Sequence, residues 1–154
     1  MPQALHPSAA LPAGRQIVVT EFAENPTQAI EGFIELREQP APDPAALGPD
    51  EVILRIRAAS VSWVDLLMTS GQYQHMPQPP YIPGIDYAGE VLAAGSDVDA
   101  ATFAPGARVI ADPMKAGPRS SGAYRSVGGL ATYAVLPASA LVPIPGNLDF
   151  DQAA

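Results

Sequence analysis

Apolar and polar residues alternate in short runs along most of this chain, and proline and glycine repeatedly cut the runs. The clearest run is Glu51 to Ala59, Glu-Val-Ile-Leu-Arg-Ile-Arg-Ala-Ala. Val52, Leu54, Ile56 and Ala58 share one face, and Arg55 and Arg57 lie on the other. A period of two predicts a half-buried strand. Gln16 to Phe22 is rich in β-branched residues and predicts another strand, and Phe33 to Glu38 alternates with Ile34 and Leu36 prominent. Further strands are expected over Asp86 to Ala94, Arg108 to Ala111, Ala131 to Pro137 and Ala140 to Ile144. Asn25-Pro26, Gly95-Ser96 and Pro105-Gly106 are turn signals, and the proline-rich Pro40 to Asp50 is a loop. Gln72 to Pro83 and the polar stretch Asp112 to Gly129 also lack periodicity. The period changes once. Within Ser62 to Ser70, Val64, Leu67 and Met68 fall at helical spacing, and Gly71 follows as a stop. About seven short strands with one or two short helices predict a mainly β fold, a partly closed barrel.

Composition agrees and narrows the chemistry. With 47% hydrophobic and 16% charged residues over 154 positions, the chain can bury the core of one domain. Its net charge of −8 makes nucleic acid and anionic membranes poor partners, although a local basic site can still take an anionic cofactor. There is no cysteine, which excludes disulfides, thiolate zinc sites and cysteine nucleophiles. No apolar run approaches a membrane span, and residues 1–14 lack the charged start and long apolar centre of a signal peptide, so they read as a flexible tail and the cytoplasm as the simplest compartment. Neither Gly-x-Gly-x-x-Gly nor a Gly-Lys-Ser/Thr phosphate loop occurs.

Six short motifs stand in a fixed order. They are Ala59-Ser-Val-Ser-Trp-Val-Asp65, Ser70-Gly-Gln-Tyr73, Ile82-Pro-Gly-Ile-Asp-Tyr-Ala-Gly-Glu-Val91, Pro105-Gly-Ala-Arg-Val109, Gly128-Gly-Leu-Ala-Thr-Tyr-Ala-Val135 and Val142-Pro-Ile-Pro-Gly-Asn-Leu-Asp-Phe-Asp-Gln-Ala-Ala154. Together they resemble the N-terminal catalytic domain of the medium-chain dehydrogenase/reductase superfamily, in its zinc-independent NADPH:quinone oxidoreductase and enoyl reductase branch. The resemblance implies a GroES-like barrel over residues 15–154. It also implies a Rossmann nucleotide-binding domain beyond the closing Ala-Ala pair, so the chain reads as a piece of a longer protein, and as little active without that second half.

The resemblance carries site residues with it. Zinc-using relatives have a cysteine where Ser62 stands and a His-Glu pair where Ile85-Asp86 stands. No metal is therefore expected. Hydride transfer from NADPH to a quinone or enone suits such a site, because the substrate's own conjugation spreads the developing charge. Ser62 matches a position near the nicotinamide. Asp65 matches the aspartate of an Asn-x-x-Asp pattern, and Tyr73 matches the proposed proton donor of enoyl reductases. Trp63 and His75 are expected at the substrate pocket.

Each residue also has a plainer role available. Ser62 is a favoured helix N-cap, Asp65 a structural acid and Trp63 a packing residue. Asp86 could meet Arg55, Arg57 or Arg108. The segment with Lys115, Arg119 and Arg125 is either a solvated loop or a mobile lid. A non-enzymatic barrel serving as a protein-interaction module is the alternative to the oxidoreductase, and in either case the apolar face left without its second domain is expected to self-associate into a homo-oligomer.

Overall fold

The computed structural model describes residues 10–154. Two antiparallel strands, β1 (Gly14–Val19) and β2 (Ile34–Gln39), form a small ribbon. Five more strands form a curled antiparallel sheet: β3 (Glu51–Ala59), β4 (Tyr87–Ala94), β5 (Arg108–Ala111), β6 (Tyr133–Pro137) and β7 (Leu141–Pro143), in spatial order β6-β3-β4-β5-β7. The ribbon joins the sheet edge-on through the Gln16–Ala131 bridge and the Ile17 N–H bond to the Leu130 carbonyl. The seven strands fall where the alternating runs place them, in the mainly β, GroES-like half-barrel expected.

The alternation of β3 explains the core. Val52 and Leu54 turn inward with Tyr87, Val91, Val109 and Leu136, all fully buried, while Arg55 and Arg57 stay exposed. Burying side chains of this size stabilises the fold by roughly 1.5–3 kcal/mol each. Ile53, on the opposite face, is buried as well. A second, smaller cluster of Val19, Met68, Tyr81 and Ile85 sits where the ribbon meets the helix that follows β3.

Among the described residues there are three short α-helices: α1 (Pro26–Gly32), α2 (Trp63–Thr69) and α3 (Phe150–Ala153). Only α2 carries the apolar spacing that announces a helix. Helix α1 occupies a segment read as a turn. Its start signals are present, since the Asn25 side chain accepts from the Gln28 N–H and Pro26 fills the first turn, but it buries Ala29 alone and so has no apolar stripe. Residues Ala138–Ala140 form a 3₁₀ turn, which shortens the last strand to Leu141–Pro143. The tail expected over 1–14 lies mostly outside the described residues; its end is held, with the Tyr133 hydroxyl bonded to the Pro12 carbonyl at 3.0 Å.

The loop over 112–129 is neither free nor wholly solvated. Ala116, Gly117 and Pro118 are buried, and Tyr124 and Val127 pack on the first core. Three ties close it down. The Tyr124 hydroxyl donates to Glu51 at 2.6 Å, Arg125 donates to the Met76 carbonyl at 3.0 Å, and the Ile82 N–H donates to the Ser126 carbonyl at 3.1 Å.

Candidate functional site

Helix α2 positions the residues singled out from the sequence. Ser62 is its N-cap, and Asp65 stands at the third helical position, completing a capping box. The Asp65 carboxylate is 3% exposed. One oxygen accepts from the Ser62 N–H and the Ser62 hydroxyl, each at 2.9 Å. The other accepts from the N–H groups of Gly84 and Ile85, each at 3.1 Å. Four donors thus meet the roughly four lone-pair sites of an ionised carboxylate. The ion pairs among the described residues are Arg37–Glu35 and Lys115–Asp112, so hydrogen bonds, not a cation, hold the charge of Asp65.

The Pro83-Gly84-Ile85 corner is fixed from its far side as well. The Gly84 carbonyl accepts from Gly129 at 2.8 Å, and the Pro83 carbonyl accepts from Leu130 at 3.0 Å. Gly84 has φ +103°, and a Cβ there would stand 2.7 Å from the Leu130 nitrogen. Only glycine satisfies both the dihedral and the approach.

Tyr73 is half-buried in the loop after α2 and packs on the cluster that contains Met68, Tyr81 and Ile85. The Arg119 guanidinium lies 5.9 Å from the centre of its ring. Tyr81 is fully buried with its hydroxyl unpartnered; burial first, and the Asp65 charge second, push its ionisation far up. Ser62 is half-buried. Trp63 is 68% exposed and, with Val61 at 66%, makes an open apolar pair on either side of Ser62. His75 is exposed on the same loop as Tyr73. The fold therefore joins Ser62 to Asp65 directly and links Tyr73 to them through α2. It gives His75 no partner among the described residues.

Sequence reasoning missed two features. The corner amides on Asp65 lie 19 and 20 residues away in the chain, and no local pattern announces such a bond. Arg119 was legible as part of a basic loop, but its place over the Tyr73 ring was not. Asp86 makes no side-chain hydrogen bond or ion pair among the described residues; its carbonyl accepts from the Ser60 N–H at 3.0 Å. Arg57 and Arg108 instead face the Phe150 ring of α3 at 5.7 and 4.9 Å.

Zinc is tested by the donors at the corner. The Ser62 hydroxyl is engaged by Asp65, Ile85 offers no lone pair, and no cluster of three His, Cys, Asp or Glu occurs among the described residues. These residues do not fit a zinc ion. Two open grooves, of about 520 and 360 Å³, lie elsewhere, between the β1–β2 ribbon and β3. They are lined by Arg15, Arg37, Arg55 and Arg57 and by one acidic residue, Glu38, which stands opposite Arg15 in the strand register. No helix among the described residues is long and apolar enough to cross a membrane.

A family profile for the alcohol dehydrogenase GroES-like domain matches residues 48–146. A zinc-type alcohol dehydrogenase-like protein of Schizosaccharomyces pombe is 35% identical across 81% of this chain. A quinone oxidoreductase-like protein 2 homolog of Nematostella vectensis is 33% identical across 70% of it. The chain covers 38% and 26% of those two proteins. Among solved structures, a probable oxidoreductase from Mycobacterium abscessus superposes with a TM-score of 0.68 at 27% identity, covering 92% of this chain and 38% of that one. A quinone oxidoreductase from Pseudomonas syringae gives 0.65 at 26%, covering 91% and 36%. With the barrel, the Pro-Gly corner and the capped helix beside it all in place, the chain belongs to the alcohol dehydrogenase GroES-like domain family, the catalytic-domain family of the medium-chain dehydrogenases and reductases.

Proposed function

We propose that this chain is the catalytic domain of an NAD(P)H-dependent oxidoreductase that reduces a quinone or enone without a metal ion. One observation carries the reading. At the corner where a metal would need ligands, a buried carboxylate is consumed by hydrogen bonds, and a half-buried phenol, Tyr73, packs on the same apolar cluster. Such a site offers a proton donor and an apolar wall instead of a Lewis acid.

NADPH, when bound, supplies the hydride. Ser62 and its neighbours would form the wall beside the nicotinamide. Trp63 and Val61 offer an apolar face to a planar substrate. Hydride adds to the conjugated carbon and the negative charge moves to the carbonyl oxygen. Tyr73 then donates a hydrogen bond or proton to that oxygen. Asp65 acts as a positioning residue, because both its oxygens are taken. His75 stands at the outer rim of the substrate pocket.

The test is NADPH oxidation with a 1,4-quinone and with an enone, on the protein as its source cell makes it. Tyr73→Phe should lower kcat by about 10²–10⁴-fold, the range for loss of a general acid, with an unchanged melting temperature. No turnover of either acceptor by the wild type would sink the proposal. Full activity in the phenylalanine variant would remove Tyr73 from it.

A further inference from the structure

Arg119 is one of the six Lys and Arg residues that form no ion pair among the described residues, and it is the one set over the Tyr73 ring. Acidic residues outnumber Lys and Arg by 16 to 8 in this chain. Even so, the half-buried Arg119 guanidinium has no carboxylate within ion-pair distance and no hydrogen bond among the described residues. Its near neighbour is the Tyr73 ring, 5.9 Å from the guanidinium carbon to the centroid. The next residue, Ser120, has a buried hydroxyl that is likewise unpartnered. A bound anion would give this guanidinium the charge-assisted, bidentate hydrogen bonds it lacks among the described residues.

The segment that carries Arg119 is also preorganised. Gly117 takes φ +110°, its N–H bonds the Tyr124 carbonyl at 3.2 Å, and its carbonyl accepts from Ser120 at 2.8 Å. The flanking Pro118 is buried, and Tyr124 and Arg125 tie the loop to Glu51 and Met76. The backbone that carries Arg119 is therefore fixed, with the guanidinium placed over the Tyr73 ring.

We propose that Arg119 is a specificity-determining residue that selects substrates bearing an anionic group, carboxylate above all, beside the conjugated carbonyl. This rests on the oxidoreductase reading and names its substrate class. A carboxylate anchored on the ring-face side of Tyr73 leaves the conjugated part of the molecule near the tyrosine hydroxyl. Arg119 holds the substrate and takes no part in the proton or hydride steps.

The experiment compares a neutral aryl enone, benzylideneacetone, with its 4-carboxy derivative on the protein as its source cell makes it. Binding is followed by titration calorimetry and turnover by NADPH oxidation. Wild type should bind the carboxylated enone about tenfold more tightly, with the preference shrinking as salt rises. Arg119→Met should abolish the preference, with the carboxylated enone losing about tenfold more affinity than the neutral one. Arg119→Lys should keep a reduced preference, because it retains charge but not the planar fork. Equal affinity for the two enones in wild type, or a preference that survives in Arg119→Met, overturns the assignment even while neutral-enone turnover upholds the oxidoreductase reading. Weakened NADPH binding in Arg119→Met, with the enone preference intact, gives the guanidinium to a cofactor phosphate and also overturns it. If wild type neither binds nor reduces either enone, the assignment falls, while turnover of a 1,4-quinone would still uphold the oxidoreductase reading.

Discussion

Replacing Asp65 should unfold this domain before it reveals anything about catalysis. In Asp65→Ala, four donors lose their acceptor at once: the half-buried Ser62 N–H and hydroxyl, and the buried Gly84 and Ile85 amides. A hydrogen bond to a charged group is worth about 1.5–3 kcal/mol net, and an orphaned buried donor costs about 1–3 kcal/mol. The four share one carboxylate and cannot be summed, so a total of about 3–5 kcal/mol is expected. Domains of this kind have about 5–15 kcal/mol in all, so the loss is severe. Asp65→Asn is the sharper test. Its carbonyl oxygen can still serve Gly84 and Ile85. The amide nitrogen then confronts the Ser62 N–H, donor against donor, while the serine hydroxyl can rotate to accept. The expected cost is about 1.5–3 kcal/mol. Urea unfolding at pH 7, followed by circular dichroism, measures both. Asp86→Asn is the control and should stay within about 0.5 kcal/mol, because its carboxylate has no bond among the described residues to lose. An Asp65→Asn protein as stable as wild type, with turnover abolished, would refute this reasoning and make the aspartate an acid–base group.

Two further outcomes follow from the loop and the corner. The Tyr124 hydroxyl bond holds the Glu51 carboxyl below its ordinary value of 4.5, aided by the Gly48 N–H, and the tyrosine is itself pushed up to about 12. The depressed glutamate contributes stability that is present above pH 4.5 and is lost as pH falls below it. The raised tyrosine contributes stability present below pH 10 and lost between about pH 10 and 12. Tyr124→Phe should cost about 1 kcal/mol at neutral pH and flatten both flanks of the stability–pH curve, read by urea unfolding; unchanged flanks would discard the tie. Gly84→Ala should cost about 2–4 kcal/mol, because it adds backbone strain to a 2.7 Å clash with the Leu130 nitrogen. Gly106→Ala shares a positive φ of +93° but meets nothing within 4 Å, and should cost only about 1 kcal/mol. Thermal melts of equal depth for the two would show that crowding at the corner has been overstated.

What the sequence disclosed was whatever repeats with a short period. Strand β3 runs over the full Glu51–Ala59 stretch because its inward residues recur every second position and its arginines mark the other face. Helix α2 was legible for the same reason, with Ser62 and Gly71 as its punctuation. Helix α1 was not, because seven residues burying one alanine make no stripe. At the site, residue types were legible and partnerships were not. Asp65 could be named from its motif, but the amides that use it come from the other end of a proline-rich loop. The packing of the 112–129 segment was hidden for a related reason. Its buried members, Ala116, Gly117 and Pro118, are small or turn-forming residues that hydropathy does not flag.

The double use of Asp65 has a consequence for how such a domain can change. The carboxylate clasps the start of α2 and the Pro83–Ile85 corner together, so the stretch between them is a loop shut at its base. The Ala23–Thr69 and Val19–Tyr81 backbone bonds fasten the same neck. Once a loop is closed, lengthening it costs little, since closure entropy grows only with the logarithm of its length. The exposed Gln74, His75 and Gln78 can therefore be exchanged as a cassette, while Tyr73 and Met76, packed on the second cluster, and the buried Pro77 keep the loop in place. A library confined to that cassette is the economical route to new substrate preferences on this scaffold.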